Sequence, residues 1–328
     1  MTTEQESRQQ LLDLVWQKIR SKDIRQAIDR SNVLVKRFPD FAPGWHVTSH
    51  VAQLINQPRS ALIAIDRALE QQPSNIDWQL HRISCLLMCG DNSSAVEAIR
   101  SSLTAIEKCN PTQLSQLAFL CNRVELFEEA EGIYRKLINQ QPDNGGHWYN
   151  LASIQRFRGD NLEAEASLDQ AIALNRKDYE AYELRSSLRQ QTRESNHVDQ
   201  LEAVLDKGIS VPSGEVRICY ALAKELEDVG EPERSFEKLS RGAALRRKHI
   251  KYDINDDLET INTISAVCGA PVLDAGREGF PTREPIFVIG LPRTGTTLVE
   301  RSRGSHPGVG AAGAMNPGAT LLISQGRA

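Results

Sequence analysis

From residue 8 to residue 250 the chain alternates apolar, small and polar positions in helical runs that end on a helix-breaking residue. Three segments align by eye: AIDRALEQQPSN (Ala64–Asn75), IYRKLINQQPDN (Ile133–Asn144) and SLDQAIALNRKD (Ser167–Asp178). Pro73 and Pro142 close the first two, and Arg176 stands in that place in the third. Pro39 to Pro73 is 34 residues, Pro142 to Arg176 is again 34, and Pro73 to Pro142 is 69, close to two more units with a slip around Pro111. The pattern predicts two helices per unit and six or seven units. Gly159 and Gly230 supply the turn inside a unit, and the prolines end its second helix.

A 34-residue period with two helices per unit resembles the tetratricopeptide repeat. The clearest copy is HWYNLASIQRFRGDNLEAEASLDQAIALNR, where Trp148, Leu151, Ala152, Ala164, Leu168 and Ala171 occupy the repeat's large and small positions. Trp45, Ala61, Ile65 and Ala68 repeat the scheme, as do Leu117, Ala118, Ala130 and Tyr134; a degenerate last copy carries Leu222, Ala223, Gly230 and Leu239. Small residues let the paired helices approach and large ones fill the gaps. Each hairpin buries its apolar face only against its neighbours, so the hairpins must stack. The expected fold is mainly α, an α-solenoid over residues 8–250 whose groove takes a protein or peptide; a spacer or oligomerisation element is the alternative.

Beyond residue 250 the period disappears. Residues 253–267 still read as a helix, with Ile254, Leu258, Ile261 and Ile264 on one face. A stretch rich in Gly, Pro and charge follows, so 251–284 is read as helix and linker. PIFVIG then has the pattern of a buried strand, LPRTG of a turn, and TGTTLVER of a helix start. Strand, glycine turn and helix aim backbone N–H groups and the positive helix end at a phosphate. The spacing of Gly290 and Gly295 matches a nucleoside-triphosphate loop, but Thr296 stands where that loop needs lysine.

GLPRTGTT instead resembles the sulfotransferases that use 3′-phosphoadenosine 5′-phosphosulfate. The arginine inside the loop is most similar to the tyrosylprotein branch, and repeats followed by this loop resemble tetratricopeptide–sulfotransferase fusions. The resemblance implies that 285–328 begins an α/β P-loop sulfotransferase domain, with Pro292, Arg293, Thr294, Gly295, Thr296 and Thr297 holding the phosphosulfate. It also implies that Arg293 stabilises charge on the sulfuryl group during in-line transfer to an acceptor hydroxyl, such as that of a peptide tyrosine. The sequence departs from that family in SRGSHP (Ser302–Pro307), where Gly304 weakens a helix, and at Gly313-Ala314, where the family has Gly-Glu with a catalytic carboxylate. Only 44 residues run from Pro285 onward, fewer than the ~100 of an α/β domain. The expectation is therefore a C-terminally truncated and inactive member; the alternative is a repeat-based interaction scaffold with a vestigial P-loop.

Composition narrows this further. Hydrophobic residues make up 40% and charged residues 25%, the profile of a folded protein. A net charge of −4 does not point to nucleic acid. No apolar run reaches the ~20 residues of a membrane span, and the polar start MTTEQESRQQ does not resemble an export signal. The six cysteines, Cys85, Cys89, Cys109, Cys121, Cys219 and Cys268, form no CxxC pair and read as reduced thiols of a cytoplasmic protein. His46 and His50 share a helix face and could grip a metal, but no third ligand lies near in sequence and no metal site is expected. Cys85 and Cys89 read as structural thiols, and the basic run Arg246–Lys251 as a solvated helix end.

Overall fold

A computed structural model describes residues 3–267, 286–290 and 294–310. The chain divides into two units, Met1–Ile250 and Lys251–Ala328. The first unit consists of fourteen α-helices in seven hairpins. These pair α1 (Thr3–Arg20) with α2 (Ile24–Arg37), α3 (Ala42–Leu54) with α4 (Pro58–Gln71), and α5 (Ile76–Met88) with α6 (Asn92–Thr104). They continue with α7 (Pro111–Arg123) and α8 (Phe127–Gln140), then α9 (Gly145–Arg158) and α10 (Asn161–Leu174). The last two are α11 (Tyr179–Ser187) with α12 (Val198–Asp206), and α13 (Pro212–Asp228) with α14 (Pro232–His249).

The repeat is written in the backbone as well as in the residues. The turn between the two helices is left-handed at Lys22 (φ 60°), Asn56 (55°), Gly90 (77°), Glu125 (62°) and Gly159 (90°), and again at Gly230 (83°) in the last hairpin. The slip around Pro111 has a local cause. The connection from α6 to α7 carries a short 3₁₀ turn, Ile106–Lys108, where the neighbouring connections run directly from one helix to the next. Its extra residue makes that one repeat 35 residues long, between Gly90 and Glu125.

Capping explains where helices begin. Asp23, Asn75, Asp91 and Asp178 each accept from an N–H of the first turn, and Asn110 forms a reciprocal capping box with Gln113. Proline sits at the start of α4, α7, α13 and α14, where its missing N–H leaves nothing unpaired. Residues six after the unit-closing proline tie the first helix to it: Trp45 Nε1 donates to the Pro39 carbonyl at 2.7 Å and Trp148 Nε1 to that of Pro142 at 3.2 Å. Gln79 Nε2 makes the same bond to Pro73 at 2.6 Å, so the third hairpin keeps the contact without the tryptophan.

The core follows the small-large-small pattern on the second helices. Ala61, Ile65 and Ala68 are fully buried, and so are Ala164, Leu168 and Ala171. In α14 the corresponding small residues are Ser235 and Gly242. A Cβ on Gly242 would lie 2.9 Å from Cys219 Cβ and 2.9 Å from the Tyr220 ring, so α13 and α14 touch at backbone distance. Leu239, expected in the core, is 45% exposed; no helix follows α14 within the unit to cover that side. Of the two cysteines expected to be buried structural thiols, Cys85 is buried and Cys89 is only half-buried; Cys121 and Cys219 are buried as well, and Cys268 lies outside the described residues.

In the second unit, α15 (Ile254–Val267) forms as expected, one residue shorter at its start. The strand expected at PIFVIG does not form: Ile286–Gly290 has no regular structure, and the described residues contain no strand. A β-ladder needs a paired neighbour, and the described residues offer none. The helix expected after the turn does form, as α16 (Thr296–Gly304), and Gly304 ends it. The linker 268–284, Gly313 and Ala314 lie outside the described residues. Among the described residues no helix is long and apolar enough to cross a membrane.

Candidate functional site

Successive first helices touch one another at α1–α3, α5–α7 and α11–α13, and their side chains share a face. Near its start this face holds an aromatic cluster. Trp16 of α1 lies 5.2 Å, centroid to centroid, from His50 and 6.1 Å from His46. Trp78 of α5 stacks on His46 at 5.3 Å. His81 of α5 packs 4.0 Å from His50 and 5.5 Å from His46.

Polar bonds fix the rings. His46 Nε2 and His50 Nε2 are 3.1 Å apart, and His81 Nε2 meets the Ser49 hydroxyl at 2.8 Å. Ser49 in turn donates to the Ala61 carbonyl at 2.8 Å. Burial drives the pKa of all three histidines down, and the neighbouring rings push His46 and His81 further; His46 falls to about 4 and His81 to about 3. The three are therefore neutral at ordinary pH. Sequence reasoning paired His46 with His50 and missed His81, which is distant in sequence but lies on the next first helix. Aligning the hairpins would have brought it in.

The first helices also leave large apolar side chains uncovered. Leu54, Met88 and Phe157 stand near the ends of α3, α5 and α9, one or two hairpins apart, and Phe119 lies on α7. Each is 40% to 57% exposed. Phe157 stacks on Phe127 at 5.8 Å, and the Arg156 guanidinium lies 5.5 Å from its ring. Arg217 of α13 pairs with Glu180 at 2.6 Å and with Glu183 of α11. The face is thus apolar at its middle and charged toward its end.

The sixth hairpin departs from the pattern. Its helices are the shortest of the array, joined by residues 188–197, and that connection is built around charge. Glu225 is fully buried and accepts from Ser186 Oγ at 2.5 Å, from the His197 backbone N–H at 2.6 Å, and meets His197 Nδ1 at 3.1 Å. Burial alone would raise its pKa, but these hydrogen bonds outweigh it and hold the carboxyl below its ordinary range. Arg189 grips Glu165 with two bonds of 2.8 and 2.9 Å, which lowers the Glu165 pKa. The cluster staples α10, α11 and α13 around a long loop.

Of the residues expected to hold phosphosulfate, Pro292 and Arg293 lie outside the described residues. Thr294, Gly295, Thr296 and Thr297 do come together. Gly295 is left-handed (φ 92°) and caps α16, whose first turn holds Thr296 and Thr297. A Cβ on Gly290 would lie 2.7 Å from Thr294 Oγ1 and 2.8 Å from Thr296 Cγ2, so the turn closes tightly on that glycine. Among the described residues no group of three or more His, Cys, Asp or Glu side chains is placed to hold a metal.

Comparison with known proteins agrees with the first unit. Residues 148–178 match the tetratricopeptide repeat family model. A crystal structure of a tetratricopeptide repeat protein from Parabacteroides merdae ATCC 43184 superposes with a TM-score of 0.50 at 15% identity, covering 77% of this chain and 97% of that one. The type IV pilus biogenesis factor PilW gives a TM-score of 0.48 at 14% identity over 73% of this chain and 93% of its own. An uncharacterized protein of Aquifex aeolicus (strain VF5) is 28% identical over 187 residues, 56% of this chain; the aligned stretch spans 24% of that relative. The first unit is a helical solenoid of tetratricopeptide type.

Proposed function

We propose that the chain is a repeat-based interaction scaffold whose first-helix face binds a segment of another protein. The observation that carries this reading is the row Leu54, Met88, Phe119 and Phe157, large apolar side chains left exposed on successive first helices of a stacked array. Such residues, spaced by one hairpin, suit a peptide that runs along the stack and places an apolar side chain against several of them. Arg156, Glu180, Glu183 and Arg217 supply a polar border.

The reading is tested by selecting peptides from a displayed library on the full chain and measuring their affinity by fluorescence anisotropy. Met88→Glu and Phe157→Glu should each weaken binding about tenfold or more, with unchanged circular dichroism. Ile63→Glu on the second-helix face, where Ile63 is 64% exposed, should not. Equal affinity in all four proteins sinks the proposal.

A second reading attaches to residues 290–304. The tight closure of the turn on Gly290 and the left-handed Gly295 at the start of α16 suit an anion at a helix N-terminus. There Thr296 and Thr297 would face the phosphosulfate of 3′-phosphoadenosine 5′-phosphosulfate, and Arg293 would neutralise it. Calorimetric titration with 3′-phosphoadenosine 5′-phosphate tests it: saturable binding lost in Arg293→Ala supports a nucleotide site, and no heat removes it.

A further inference from the structure

We propose that His46 and His50 form a two-imidazole chelate for a borderline divalent metal ion, Zn²⁺, Ni²⁺ or Cu²⁺, on the first-helix face of the second hairpin. The two residues lie four apart on α3 and so project from one side of it. Their Nε2 atoms are 3.1 Å apart, with the rings nearly perpendicular at 76°. Two imidazole nitrogens bound to one ion at about 2.0–2.1 Å with near-tetrahedral or square angles lie about 3 Å apart. The apo geometry already has that separation, so binding requires no helix movement.

The surroundings hold the two rings together and place a negative charge near them. The Nε2–H that one ring uses in the present His–His bond moves through solvent to its own Nδ1 when the metal binds, so no net proton is released. Asp77 lies close enough to act electrostatically on His46, a negative charge beside the ion. Trp78 stacked on His46 and Trp16 beside His50 restrict the rings to their present orientation. His81 Nε2 is committed to Ser49 and is not offered to the ion. The remaining coordination positions take water or a donor atom from a bound partner. Imidazole donors with open positions suit Zn²⁺, Cu²⁺ and Ni²⁺ rather than Ca²⁺ or Mg²⁺.

The site does not depend on the peptide-binding proposal and is tested separately. Metal-free full chain is titrated with ZnCl₂ by calorimetry and with CuSO₄ by tryptophan fluorescence; Trp16 and Trp78 beside the pair report the paramagnetic ion by quenching. One equivalent should bind saturably. His46→Gln and His50→Gln should each weaken binding about tenfold or more with unchanged far-ultraviolet circular dichroism, while His81→Gln should keep wild-type affinity. Wild-type affinity in either of the first two variants, loss of binding in His81→Gln, or the absence of a saturable equivalent overturns the assignment.

Discussion

Acidification should unfold the amino-terminal hairpins before the carboxylates begin to titrate. In the unfolded chain each histidine takes up a proton near pH 6.5, whereas in the fold His46 does so only at about 4 and His81 only at about 3. Between those limits the unfolded state binds more protons, so stability falls as pH falls. The stability is complete above pH 6.5 and its loss levels off below pH 4 to 3. Each imidazole held neutral costs about 1.36 kcal/mol per pH unit, so at pH 5 His46 and His81 together cost about 4 kcal/mol. His50 and His147, whose pKa burial also lowers, add in the same direction. That is a large share of the ~5–15 kcal/mol of a domain. The assay is urea unfolding followed by circular dichroism at pH 7 and at pH 5, on the wild type and on His81→Gln. The wild-type midpoint should drop sharply, and His81→Gln should lose about half of the pH-dependent part carried by His46 and His81. Identical wild-type midpoints at the two pH values, or an undiminished pH dependence in His81→Gln, refutes the reasoning. Glu165 and Glu225 do not confuse the window, because their unfolded carboxyls protonate only near 4.5.

Two further outcomes follow from packing. Glu225→Ala removes the acceptor of Ser186, of the His197 N–H and of its ring, and should cost about 3–5 kcal/mol in urea unfolding; a loss below about 1 kcal/mol would show that the cluster is not a staple. Gly242→Ala places a methyl 2.9 Å from Cys219 Cβ and the Tyr220 ring and should lower stability by about 1–3 kcal/mol, read as a drop in Tm. An unchanged Tm would mean that α13 and α14 can separate freely.

The solenoid was legible because its signal recurs: small and large residues at fixed places, prolines at unit ends, and a period of 34 broken by one 35-residue unit. Gly159 and Gly230 were correctly placed at turns. Lys22, Asn56 and Glu125 hold the same left-handed conformation and were missed: nothing in Lys or Glu announces it, and the left-handed preference of asparagine was passed over. The sixth hairpin was also opaque. Its long connection 188–197 is polar and reads as loop; only the fold shows that Glu165, Glu225 and Asp228 reach it from α10 and α13. His81 joined His46 and His50 through stacking of neighbouring hairpins, a contact across 31 to 35 positions that local spacing does not reveal. The strand at residues 286–290 was read from β-branched composition, which describes a fit to a paired sheet and does not create one.

The run of left-handed turns has one more consequence. A residue other than glycine in that conformation carries about 1–3 kcal/mol of strain, yet Lys22, Asn56 and Glu125 accept it where Gly90, Gly159 and Gly230 do not have to. What recurs from hairpin to hairpin is a dihedral angle, realised by glycine at some turns and by other residues at the rest. A comparison of letters then finds a family in one hairpin, residues 148–178, where glycine still spells the turn out. Two other hairpins also use glycine there, at Gly90 and Gly230, three make the same turn at Lys22, Asn56 and Glu125, and the sixth replaces it with a long connection, so the step recurs more widely than any one residue that makes it.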